Sequence, residues 1–90
     1  MDFEWDPAKD AANRRKHGLG FQEAASVFAD PLALTFADPD HSRSEHRWLT
    51  FGLAASGQLL IVSHTERDRR TRIISAREAT RHERKIYEEG

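Results

Sequence analysis

The sequence predicts an α+β fold: two N-terminal helices, a four-stranded antiparallel sheet and a C-terminal helix, in a single domain spanning residues 1–90. Three observations carry this expectation. Asp6-Pro7 and Gly18 bracket a helix-prone stretch, and the apolar residues after it recur at helical spacing. After Asp30-Pro31 the pattern becomes four short β-like runs, joined mostly by tight turns. Thr80-Arg81-His82-Glu83 then has the spacing of a capping box.

The first helix follows from its ends. Asp6 can cap free N–H groups, and Pro7 suits the first helical position because no N–H is needed there. Ala8 to Lys16 is rich in Ala, Lys and Arg and holds no helix breaker, and Gly18 supplies the stop. Phe21, Ala24, Ala25 and Phe28 share one face of a second short helix, closed by Asp30-Pro31. The β-like runs are Leu32–Phe36, His46–Leu53, Gln58–Glu66 and Thr71–Arg77. Ala55-Ser56-Gly57 and the short link Arg67-Asp68-Arg69-Arg70 read as hairpin turns. Strands joined so tightly must be antiparallel, since parallel pairs need long crossovers. The last helix runs from about Thr80 to Glu89, and the expected architecture places the helices on one face of the sheet. Its acidic end, Glu88-Glu89, opposes the helix dipole, which leaves fraying or a basic partner as explanations.

Composition narrows the classes. At 90 residues, with 38% hydrophobic and 32% charged residues, the chain has room for one thin core. A domain of this size buries only roughly 60–65% of its unfolded surface, so a stabilising partner, a second copy included, is compatible with it. Without cysteine there is no disulfide framework and no thiolate metal site. The acidic N-terminus lacks the features of a signal peptide, and the longest apolar run, Leu59–Val62, is far short of the ~20 residues that span a bilayer. A soluble, cytoplasmic protein with no membrane contact is expected. Net charge is −1, but it is uneven: Arg67 to Lys85 holds eight basic and three acidic residues. Such a patch can steer a polyanion even on a near-neutral chain, although a solvated helix face would look the same.

Motifs exclude more than they include. His41 lies beside Asp38 and Asp40, but Ala37 to Ser42 reads as a polar loop, and no spaced metal signature is present. No metal or other cofactor is expected. The Walker loop, the Gly-rich dinucleotide turn and the GxSxG elbow are all absent. The last two strands are more informative. By simple alternation His64 and Glu66 share one side of theirs; Arg72, Ile74 and Ala76 share one side of the next, and Ile73, Ser75 and Arg77 the other. This hairpin gathers His, Glu and Arg, which suits either phosphate chemistry or ordinary cross-strand ion pairs.

Three stretches resemble one family. Phe3 to Lys9, with Asn13 and Arg15-Lys16-His17-Gly18, is similar to the N-terminal signature of BrnT-type toxins. Phe21 to Pro31 fits the same pattern, as do His64-Thr65-Glu66-Arg67 and Arg72 to Thr80. The resemblance spans nearly the whole chain. It implies a RelE-like ribonuclease toxin of a type II toxin–antitoxin pair, with a BrnA-like ribbon-helix-helix antitoxin as partner and operator DNA reached only through their complex. The slight negative charge departs from the often basic character of the family and leaves RNA binding to the C-terminal basic segment.

RNA carries its own nucleophile, the 2′-OH, so cleavage needs proton transfer and charge stabilisation but no metal in principle. His17 or His64 are the candidate proton-transfer groups, histidine being suited to neutral pH. Arg67, Arg72 and Arg77 are candidates to hold the phosphate. Tyr87 could stack on a base, donate a proton or simply pack. Lys16, Arg81, Arg84 and Lys85 are candidates for flanking phosphates. Structural roles stand beside these: Lys16-His17 can close the first helix, Arg77 can pair with Glu83, and Trp5 and Trp48 suit core or interface positions. The alternative function is a non-enzymatic module that docks an antitoxin or blocks a cellular target.

Overall fold

The computed structural model describes residues 1–90. The elements are β1 (Phe3–Glu4), α1 (Pro7–His17), α2 (Phe21–Ala25), β2 (Leu34–Ala37), β3 (Trp48–Leu53), β4 (Leu59–Arg67), β5 (Arg70–Glu78) and α3 (Arg81–Glu89). Short 3-10 turns follow α2, at Ser26–Ala29, and β2, at Pro39–His41. The helix ends obey the expected chemistry. The Asp6 carboxylate accepts from the Ala8 N–H, and Gly18 closes α1 in the left-handed region at φ 70°. Both bonds of the Thr80–Glu83 capping box are made.

The sheet has five strands in the order β1-β5-β4-β3-β2. The four expected strands pair antiparallel, as predicted. A fifth strand, β1, corrects the four-stranded, fully antiparallel expectation: it lies parallel to β5, with Phe3 opposite Thr71 and Glu4 opposite Arg72. Two residues are too few to show strand alternation, and their partner lies at the far end of the chain. The intervening helices and strands supply the long connection that a parallel pair requires.

The helices also divide between the two faces, which corrects the expected one-sided cover. Leu60 and Val62 of β4 and Ile73 and Ala76 of β5 form the main core with Leu19, Phe21, Ala24 and Val27 from the α1–α2 layer. Ile61 alternates with Leu60 and Val62 and so points to the opposite face, where it sits in register with Arg77. Arg77 is bound to Glu83 of α3, and α3 touches β3, so α3 lies on that second face. It closes one end of it, where Phe51, Leu59 and Ile61 are buried.

The β4–β5 ladder shifts register between Ser63 and His64. This bulge breaks the simple alternation expected of β5. Thr71, Ile73 and Ala76 are buried, whereas Arg72, Ile74, Ser75 and Arg77 are all half-buried or exposed. An extra residue in one strand turns the following side chains over. Arg72 and Arg77, which strict alternation separates, therefore share the second face.

Candidate active site

Beyond α3 the second face stays open as a cleft of about 370 Å³. Ser63 and Ile74 line the sheet side, and Asp38, His41, Arg47 and Arg77 stand around it. The 38–47 loop reaches this position through main-chain and hydroxyl bonds. The Asp38 N–H donates to the Arg47 carbonyl at 2.8 Å, extending the β2–β3 pairing by one step. The Ser42 hydroxyl donates to the Asp38 carbonyl at 2.7 Å and accepts from the Arg47 N–H at 2.9 Å. The Pro39–His41 turn then brings the His41 ring back over Asp38, with Nδ1 2.9 Å from Oδ2. The Asp38 side chain is 13% exposed and that of His41 66%.

Two guanidinium groups line the cleft under different conditions. Arg77 donates twice to Glu83, at 2.6 and 2.7 Å. This forked contact pushes the Glu83 carboxyl down to about 2, with the Thr80 main-chain N–H helping, and raises Arg77 further. Arg47 makes no ion pair and is the free cation of the cleft.

The residues singled out in the sequence fall in several places. Arg77 is at the cleft, and Arg72 shares its face, ion-paired to Glu4 of β1 at 3.2 Å. Arg67 sits at the β4–β5 hairpin end, paired with Glu45 at 3.4 Å. Arg81, Arg84 and Lys85 are exposed on α3 and make no ion pairs. Lys16 and His17 are exposed at the end of α1, in the layer that covers the other face. His64 is 5% exposed, under Phe28 and within the covered layer, because its place on β4 continues the inward Leu60–Val62 series. Burial is the chief cause holding its imidazole below the ordinary histidine value, with Glu66 opposing. Tyr87 donates its hydroxyl to Asp30 at 2.6 Å, near the far end of α3.

Asp38 and His41, expected in a polar loop, and Arg47, expected in the His46–Leu53 run, are cleft residues that sequence reasoning did not single out as functional. The signal for them was local: Asp-Pro-x-His places a carboxylate and an imidazole three residues apart, the reach of one tight turn. Arg47 has no such signal, since its approach depends on the β2–β3 pairing. No group of three or more His, Asp or Glu side chains converges in a way that could hold a metal ion. No helix is long and apolar enough to cross a membrane.

Fold and cleft together define a small α+β protein with one five-stranded sheet and an arginine-lined open face. The family described as the ribonuclease toxin BrnT of type II toxin–antitoxin systems matches residues 5–83. The chain belongs to the BrnT toxin family. The crystal structure of the Brucella abortus ribonuclease toxin BrnT has the same fold, with a TM-score of 0.70 at 23% identity, over 90% of this chain and 99% of that one. No curated protein matches the sequence.

Proposed function

We propose that this chain is an endoribonuclease toxin that cuts RNA without a metal ion, with the RNA 2′-OH as nucleophile. The observation that carries the reading is the β5 bulge, which brings Arg72 to the same open face as Arg77, where Arg47 also lines the cleft. Guanidinium groups hold phosphate oxygens in a fork and stabilise the charge that develops on them during displacement. Arg47 is free to do so at once, while Arg77 and Arg72 share their donors with Glu83 and Glu4. Arg81, Arg84 and Lys85 extend positive charge along α3 for flanking phosphates, and Arg67 does the same at the hairpin end. The partner in this reading is a BrnA-like ribbon-helix-helix antitoxin that covers the cleft, with operator DNA bound through the complex. A second copy of the toxin in that assembly fits the small core, and the cytoplasm fits the substrate.

The test is cleavage of purified RNA by the isolated protein in EDTA, without ribosomes, beside an Arg72→Ala/Arg77→Ala variant and an Arg47→Ala variant. Cleavage by the natural protein and at least tenfold loss in the folded variants supports the reading. Cleavage that requires added metal overturns the metal-free chemistry. Toxicity that needs stoichiometric protein and leaves RNA intact, in solution and in translating extract, favours a blocking module instead.

A further inference from the structure

We propose that His41 is the proton-transfer residue of the cleft and that Asp38 is its positioning residue; this rests on the ribonuclease reading above. The argument begins with the ring. Its Nδ1 lies 2.9 Å from Asp38 Oδ2. An ionised carboxylate only accepts hydrogen bonds, so the shared proton sits on Nδ1, and in the neutral ring the lone pair is left on Nε2. The Asp38 side chain is mostly covered while the imidazole is mostly exposed, so the carboxylate orients the ring and Nε2 remains accessible. A base whose tautomer is fixed by a largely covered carboxylate, with its other nitrogen open to substrate, suits proton abstraction.

The surroundings place this base beside the phosphate-binding groups. Arg47 and Arg77 line the same cleft as His41. The charged groups around the ring are Asp38, Asp40, Arg43, Glu45 and Arg47 of its own loop, and Arg77 of β5. The histidines expected from the sequence lie elsewhere: His17 is on the opposite layer and His64 is buried under Phe28. His41 is the histidine that lines the cleft.

The step balances without further groups. Nε2 of His41 takes the proton from the RNA 2′-OH, and the 2′-oxygen forms a bond to phosphorus. The bond from phosphorus to the 5′-oxygen breaks, and water protonates that oxygen. The products are a 2′,3′-cyclic phosphate and a 5′-OH end, and the imidazolium returns its proton to solvent.

The experiment measures single-turnover cleavage of RNA, purified or in translating extract, by the natural protein and by the His41→Ala, His41→Gln and Asp38→Asn variants. RNA affinity is measured separately. His41→Ala is expected to lose 10²–10⁴-fold in rate while binding RNA within about twofold of the natural protein. Added imidazole is expected to restore part of that rate, and the pH–rate profile to lose one limb. Asp38→Asn is expected to slow cleavage with binding kept, because the ring loses its fixed orientation and tautomer. The exposed position of His41 makes misfolding no obstacle. Ends other than a cyclic phosphate and 5′-OH, or a His41→Ala variant as fast as the natural protein, overturn the assignment and leave the ribonuclease reading intact. A natural protein that cleaves no RNA in either setting overturns both.

Discussion

The side-chain amide of Asn13 binds both main-chain polar groups of Ala76, donating to its carbonyl at 2.9 Å and accepting from its N–H at 3.1 Å. The same amide donates to the Leu19 carbonyl at 2.9 Å. β1 ends opposite Arg72, so the edge of β5 beyond it has no neighbouring strand. Asn13, buried in α1, supplies the missing partner and ties the first helix to the sheet.

Replacing Asn13 with Ala leaves three buried main-chain groups without those partners. A lost buried hydrogen bond with an unsatisfied remainder costs about 1–3 kcal/mol, and shared relaxation makes such losses less than additive. The variant is expected to be about 2–4 kcal/mol less stable in urea unfolding. A loss below about 0.5 kcal/mol would mean that water replaces the amide and that the tie is not structural.

Tyr87 offers a direct spectroscopic check, because it is the one tyrosine in the chain. Its hydroxyl is pushed up to about 12, first by the bond to Asp30 and then by burial and the Asp30 charge. Asp30 also accepts from the main-chain N–H groups of Leu32 and Leu53, so one carboxylate joins the end of the α2 layer, β3 and α3. Burial raises the Asp30 carboxyl, but these bonds outweigh it and hold it below the ordinary value. Ultraviolet titration of the folded protein is expected to show tyrosinate forming near 12, and Asp30→Asn to bring it back toward ~10. A midpoint near 10 in the natural protein would show that the Asp30 contact is absent in solution.

Local chemistry made the helices legible in the sequence, since Asp6, Gly18 and Thr80 act on their immediate neighbours. The four longer strands were legible from β-prone runs and turns. The fifth strand was not, because two residues carry no period and their pairing with Thr71 and Arg72 depends on the completed sheet. The Arg77–Glu83 pair was readable because its partners are only six positions apart, across one cap. The faces of β5 were misread because a bulge is set by strand pairing and not by residue type. The same limit hid the cleft: Arg47 and Arg77 line one cleft only when β3, β4 and β5 lie side by side.

His64 gives the protein a pH-dependent weakness. Its Nε2 meets the Thr50 hydroxyl at 2.7 Å, while its buried Nδ1 has no partner. Burial lowers its basicity in the fold, so the unfolded chain takes up a proton first, near ~6.5. Stability is therefore full above ~6.5 and falls as pH drops toward the folded value, at no more than ~1.4 kcal/mol per pH unit for one proton. Urea midpoints at pH 7.5 and 5.5 are expected to differ for the natural protein, and to differ less for His64→Gln. Equal pH sensitivity in both proteins would assign the effect to other groups.

Glu83 acts in a separate, more acidic window. Its carboxyl falls from an ordinary 4.5 to about 2, first through the forked bond with Arg77 and, after burial opposes it, through the Thr80 N–H. A carboxyl lowered in the fold stabilises it above the unfolded value, and the contribution is lost as pH falls from about 4.5 through 2. The Arg77 side chain is 41% exposed, so solvent screening reduces the gain to about 1–2 kcal/mol. Glu83→Gln keeps a capping-box residue at this position while removing the charge. The variant is expected to be less stable than the natural protein at pH 7, by about that amount, and the two are expected to converge near pH 2. Curves that stay parallel across this range would place the cost of the substitution in lost packing or capping and not in the ion pair that holds α3 against the cleft.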